Sequence, residues 1–229
     1  MLRGIMREDV ALCETVSLVP HVFLLPEEEE SLGACVEQRR HEFALGRSCA
    51  RIALMQLGYL RQPIRRGTNR EPMWPPGIVG SITHCEGYCA AAVARTENCG
   101  GLGIDAEVNE RLPEGSLSLI ATAAELTMLA HLGDSAVCWD RLLFSAKESL
   151  YKAWYPIERA WLGFEEACIK LIPERKAFTA NVLVGSQLFP PIVTGRLAFD
   201  SRHLVTALVL PPTGWHHSTA TSACLRGQV

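Results

Sequence analysis

The chain has 229 residues, 48% of them apolar and 21% charged, enough for one large or two small domains with a real core. A formal net charge of −3 means that a polyanionic ligand must be held by a local cluster of cations and not by the surface as a whole. Nine cysteines contain no Cys-x-x-Cys pair, their number is odd, and no signal-peptide pattern precedes them. The expectation is therefore reduced thiols in a cytoplasmic protein, with neither a disulfide framework nor a zinc site.

Residues 1–26 read as irregular and extended chain. The apolar run Val16 to Leu25 is broken by Pro20 and His21 and followed by four glutamates, which is too short and interrupted for a membrane span. From Glu27 to Leu57 the pattern is helical, as two helices or one bent one. Glu27 to Glu30 suit a helix N-terminus, where the dipole favours negative charge. Ala50, Ala53, Leu54 and Leu57 form a stripe that ends at Gly58. Arg39, Arg40, Arg47 and Arg51 lie along the same run. Isolated arginines usually form a solvated face, but four so close together also suit an anion-facing surface.

Residues 61–77 carry four prolines, two glycines and Arg61, Arg65, Arg66 and Arg70, so they form a long basic loop. A loop of this kind inside a compact domain is more often functional than idle, with Trp74 as its tether to the core. Residues 78–84 read as a strand ending at His84, followed by a turn at Glu86-Gly87 and a return strand over 88–93. Leu102 to Val108 is the next strand, and alternation puts Asp105 and Glu107 on one side of it. Two like charges on one face repel unless a cation or water separates them, and as metal ligands their oxygens favour Mg²⁺ or Mn²⁺ over zinc.

Residues 109–117 form a loop and Ile120 to Leu132 a helix containing Glu125. Asp134 or Ser135 is expected to cap a long helix that runs to Tyr155 and is ended by Pro156. Within it Leu143, Ala146, Leu150 and Trp154 make one apolar stripe, with Glu148 and Lys152 one turn apart on another face. Alone, that pair is an ordinary surface contact contributing about 0.3–0.5 kcal/mol. Beside Asp105 and Glu107, Glu148 becomes the third acid of a metal site. Strands follow at 166–172, 177–184, 192–199 and 203–210, then a loose polar tail from Pro211. The order implies an α+β protein in which helices then strands occur twice. Two similar halves, 1–104 and 105–229, would meet along strands with the acids near the join.

The strings RRHEFALGRSCARIALMQLG, PMWPPGIVGSITHCEGY, LGIDAE and FSAKESLYKAWYP, in this order, resemble a 4′-phosphopantetheinyl transferase. The likeness is to the actinobacterial branch that activates siderophore, polyketide and nonribosomal peptide synthases, and it runs from about residue 37 to about 168. It implies two pseudo-symmetric α+β halves with coenzyme A and Mg²⁺ in the cleft between them. The implied reaction transfers the phosphopantetheine arm of coenzyme A to a serine of an apo acyl, aryl or peptidyl carrier protein of a fatty acid, polyketide or nonribosomal peptide synthase, releasing adenosine 3′,5′-bisphosphate. By motif, Asp105, Glu107 and Glu148 match the metal acids, and Lys152 the lysine facing the pyrophosphate. Lys147 is expected near a phosphate, while His84, Arg47, Arg39 and Arg66 match the 3′-phosphoadenosine end. Glu125 matches an acid of the preceding helix, although Ala121 stands where an aromatic is usual. Glu148 or a metal-bound water would take the serine proton. The carrier would dock beside the cleft, at the Glu125 helix and the 109–117 loop. A monomer is implied, and neither nucleic acid nor membrane is an implied partner. With water as nucleophile, the same acids would serve a metal-dependent phosphodiesterase or nucleotide hydrolase. Without turnover, the protein would simply bind coenzyme A.

Overall fold

The computed structural model describes residues 1–16 and 22–212, so most of the tail expected from Pro211 lies outside the described residues. Two antiparallel sheets carry the fold. The first contains β1 (Ala11–Thr15), β2 (Ile78–Cys85) and β3 (Tyr88–Arg95), in the order β1-β3-β2. Its central strand is buried along most of its length, which is why β3 is almost all alanine and small apolar residues. Cys89, Ala91 and Val93 face Ala50, Ala53 and Leu54 of the helix above, while Ala90, Ala92 and Ala94 face the opposite cluster with Leu102 and Ile104. Short side chains let backbones approach closely on both faces.

The helical run resolves into α1 (Pro26–Leu32) and α2 (Glu37–Gln56), so of the two forms anticipated the separated one is found. Within residues 1–26, read as irregular and extended chain, the extended part includes a five-residue strand, β1, that pairs with β3 from Ala11↔Val93 to Thr15↔Cys89.

The second sheet has the order β4-β8-β7-β6-β5: β4 (Gly101–Val108), β5 (Ala167–Ile172), β6 (Ala177–Val182), β7 (Ile192–Phe199) and β8 (His203–Leu210). Between β4 and β5 come α3 (Leu117–Ile120), α4 (Ala123–Leu132) and α5 (Trp139–Glu158). The stripe expected on α5 is the one buried: Leu143, Ala146, Leu150 and Trp154 pack with Ile169, Phe178, Leu197 and Leu208. α5 begins later than expected, at an N-cap of Cys138 whose N–H donates to Asn109 Oδ1 at 2.9 Å, so neither Asp134 nor Ser135 caps it. Pro156 lies inside α5, which continues to Glu158 and ends on Arg159 at φ 54°. A proline there forgoes the N–H that would have met the Lys152 carbonyl and crowds that carbonyl with its ring, but in the last turn this does not stop the helix.

The free edge of β5 is closed by α4, where the Ile169 N–H donates to Glu125 Oε1 at 2.6 Å and the Leu171 N–H to Met128 Sδ at 3.1 Å. The break between sheets falls in residues 96–100, so all of β4 belongs to the second sheet and a division at 104/105 would cut through it. The sheets meet where β2 lies beside β4. Side-chain hydroxyls stand in for a ladder there: the Ile104 N–H donates to Ser81 Oγ at 3.1 Å and the Ala106 N–H to Thr83 Oγ1 at 2.9 Å.

Candidate active site

α5 reaches the seam because β4 has no side chain in its way. A Cβ on Gly103 would overlap the Ser149 carbonyl oxygen, and one on Gly101 would come within 2.9 Å of Ile157 and Leu210. Only glycine permits this helix-to-strand approach, and it sets Glu148 and Lys152 against Asp105. Lys152 Nζ donates to Asp105 Oδ1 at 2.7 Å and to the Ile104 carbonyl at 3.2 Å. Asp105 is 4% exposed, and its other oxygen, Oδ2, is buried with no hydrogen-bond partner. Glu107 is held from outside by Arg141, whose guanidinium donates to it at 3.1 Å and also ties the carbonyls of Glu110 and Arg111.

The electrostatics centre on Asp105. Burial, then repulsion from Asp105, pushes the Glu107 carboxyl up to about 7, with Arg141 and Lys152 pulling it back. Burial also raises Glu148, with Lys152 opposing and Asp105 adding to the rise. Burial would lower the Lys152 ammonium, but Asp105, Glu148 and Glu107 outweigh it and raise its pKa. Lys152 is thus the cation among the three acids. Among the described residues no group of three His, Cys, Asp or Glu side chains forms a ready-made ion cage. Side-chain cations hold two of the three acids: the Lys152 ammonium takes one oxygen of Asp105, and Arg141 takes Glu107. The donor chemistry fits a hard divalent cation, since a buried carboxylate oxygen is left unpartnered beside two acids whose pKa values burial raises.

A cleft of ≈ 530 Å³ opens from Glu148 and Lys152 toward α2, walled on the far side by Arg39, Arg47 and His84. Arg47 is 5% exposed, lies 4.0 Å over the Phe43 ring, and donates through Nε to the Ile64 carbonyl at 2.8 Å. Its buried Nη2 has no partner, and burial with three neighbouring arginines, partly offset by Glu28, lowers its pKa to about 10. An incompletely paired buried guanidinium is an anion receptor in chemical terms. Arg39 Nη1 donates to His84 Nε2 at 3.1 Å, and burial holds the His84 imidazole below its ordinary range. Glu42 stands 3.6 Å from Arg39 and 4.0 Å from His84.

Two expected contacts stand elsewhere. Lys147 is 3% exposed, forms an ion pair with Glu125 Oε2 at 2.9 Å, and donates to the Phe164 and Ala167 carbonyls at 2.6 and 2.9 Å. It welds α4 and β5 to α5 instead of facing a phosphate in the cleft. Arg66 is half-buried beside the Arg66↔Pro72 bridge and acts on Arg47 through its charge, outside the cleft wall. The basic loop does cross to the second half: Asn69 donates to the Tyr155 hydroxyl, and Arg159 Nη1 to Glu71 at 3.4 Å. Trp74 tethers it, donating to the Gly80 carbonyl at 3.0 Å. Glu42, Thr83, Arg141 and Arg159 were not anticipated. Thr83 sits beside His84 in a strand already assigned, and alternation alone could have pointed it at Asp105's side.

Comparison with known proteins gives the family. Residues 27–94 match the 4′-phosphopantetheinyl transferase N-terminal domain, and residues 101–204 the 4′-phosphopantetheinyl transferase superfamily. The chain is 43% identical over 211 residues to 4′-phosphopantetheinyl transferase PptT of Mycobacterium tuberculosis, covering 89% of this chain and 93% of that protein. It is 43% identical over 215 residues to Svp of Streptomyces mobaraensis, with 89% and 86% covered. Over 118 residues it is 36% identical to enterobactin synthase component D of Escherichia coli, about half of each chain. The chain belongs to the 4′-phosphopantetheinyl transferase superfamily. It is a transferase that moves phosphopantetheine from coenzyme A to carrier proteins. Among the described residues no helix is long and apolar enough to cross a membrane.

Proposed function

We propose that the transfer is Mg²⁺-dependent, with the cation taken up by Asp105, Glu107 and Glu148, and that it releases adenosine 3′,5′-bisphosphate. The observation that carries this reading is the split environment of Asp105, one oxygen held by Lys152 and the other buried and unpartnered. When bound, the cation supplies charge neutralisation at the diphosphate. Arg47, Arg39 and His84 hold the 3′-phosphate, and Arg66 adds to the field around it. Lys152 turns its ammonium from Asp105 toward the diphosphate, where negative charge gathers during transfer. Glu148, raised by burial, accepts the proton of the attacking serine.

The two halves divide at residues 96–100, with coenzyme A and its 3′-phosphate on the first and the acids on the second. The carrier protein docks beside α4 and the 109–117 loop, and its class is the acyl, aryl or peptidyl carriers of polyketide, nonribosomal peptide or siderophore synthases. All eight described cysteines are free thiols, which suits work in the reducing cytoplasm. The test is incubation with Mg²⁺, coenzyme A and an apo carrier protein, read by mass spectrometry. A gain of one phosphopantetheine on the carrier is expected. Cleavage of coenzyme A without that gain marks a hydrolase, and binding without turnover marks a coenzyme A-binding protein.

A further inference from the structure

β2 and β4 run side by side at a constant offset of 23 residues, Ser81 opposite Ile104 and Thr83 opposite Ala106. The two hydroxyls occupy equivalent places, each accepting a β4 amide, but their remaining protons do different things. The Ser81 hydroxyl turns to the Ile104 carbonyl at 3.5 Å. The Thr83 hydroxyl, its acceptor side taken by Ala106, donates to Asp105 Oδ1 at 3.4 Å. Lys152 is the other donor to that same oxygen, at 2.7 Å. Two donors on Oδ1 leave Oδ2 as the one Asp105 oxygen without a partner. Thr83 is 3% exposed, so water does not compete for its hydroxyl, and its β-branch stiffens χ1.

When coenzyme A arrives, Lys152 has a phosphate to serve and its hold on Asp105 is shared. Thr83 has no such alternative and stays on Oδ1. We propose that Thr83 is a positioning residue for the transfer reaction, its hydroxyl fixing the Asp105 carboxylate so that Oδ2 is the oxygen offered to the divalent cation. This rests on the reading of Asp105 as a cation ligand.

The experiment titrates Mn²⁺ into protein holding coenzyme A and no carrier protein, with the electron paramagnetic resonance signal of free Mn²⁺ as readout. Thr83→Val is expected to weaken Mn²⁺ binding about 10–100-fold, the range for removing a partner that orients a metal ligand. Thr83→Ser, which keeps the hydroxyl, restores it. Ser81→Ala breaks the neighbouring clasp without touching Asp105, so it lowers the thermal midpoint and keeps the Mn²⁺ affinity. Where Thr83→Val does not fold, Thr83→Ala must show the same loss. Wild-type affinity in the hydroxyl-free variant, or an equal loss in Ser81→Ala, overturns the positioning role. Asp105→Asn keeps the two levels apart: unchanged affinity there sinks the ligand reading itself. Lost affinity there, with none lost in the Thr83 variants, sinks only the role of Thr83.

Discussion

The two halves hold their long helices with the same device. In the first, the Leu25 N–H donates to Glu28 Oε2 at 2.9 Å, Glu28 pairs with Arg51 of α2, and the Ile64 N–H donates to Glu28 Oε1 at 2.9 Å. In the second, the Thr122 N–H donates to Glu125 Oε2 at 2.7 Å, Glu125 pairs with Lys147 of α5, and the Ile169 N–H donates to Glu125 Oε1 at 2.6 Å. Both acids are 0% exposed. Each welds a short helix, a long helix and the next stretch of chain into one piece. Aligning Arg51 with Lys147 then exposes the difference. One turn earlier α2 has buried Arg47 with an unpartnered nitrogen, where α5 has buried Leu143. One residue later α2 has exposed Ile52, where α5 has Glu148 facing the cleft. A shared frame is thus loaded with cations on one side and acids on the other, and a bridging ligand must present anionic groups to both.

The sharpest way to break the comparison is to empty the acidic side. Asp105→Ala or Glu148→Ala is expected to abolish carrier modification at ordinary Mg²⁺, measured as phosphopantetheine incorporated with time. Near wild-type turnover in both would leave the second half without its assigned chemistry. Next come the welds. Arg51→Met and Lys147→Met each strand a buried carboxylate and are expected to cost about 3–5 kcal/mol in urea unfolding. Adding Glu125→Gln to Lys147→Met should recover part of that loss, because no unpaired buried charge remains. Equal and small losses would make the devices incidental.

On the cationic side, Arg47→Ala should weaken coenzyme A by about 1.5–3 kcal/mol, the range for one charged contact. The loss should be smaller for 3′-dephospho-coenzyme A, and titration calorimetry with both ligands decides it. The gentlest probe is pH. In the metal-free protein Glu107 is raised to about 7, above its unfolded value, so its contribution favours folding below the unfolded pKa. That contribution is lost as pH rises through about 7. A cation needs the deprotonated form, so its affinity runs the other way and should be roughly tenfold weaker near pH 6 than near pH 8. A flat profile would detach Glu107 from the ion.

Much of this frame is visible in the residues. β7 and β8 fall where alternation puts them, and the α5 stripe is the buried one. Lys147 could have been placed too: it lies four residues after Leu143 and three before Leu150, within the stripe, so its burial follows from helical spacing. Motif likeness pointed it at a phosphate, and Glu125 claimed it. β1 shows in the residues only as extended chain without bounds, because five residues beside a loop carry little period. The Asp105–Lys152 contact joins residues 47 apart, and only packing of α5 on β4 brings them together. Pro156 looks like a helix stop in one dimension because its cost depends on which carbonyl goes unserved.

Gly103 carries a consequence for how this site can vary over time. Where α5 rests on β4, main chain touches main chain, so the spacing between Lys152 and Asp105 is gauged by peptide groups that every sequence shares. Apolar neighbours on either side can drift in size without opening that gap. A single methyl at position 103 would pry the reacting groups apart.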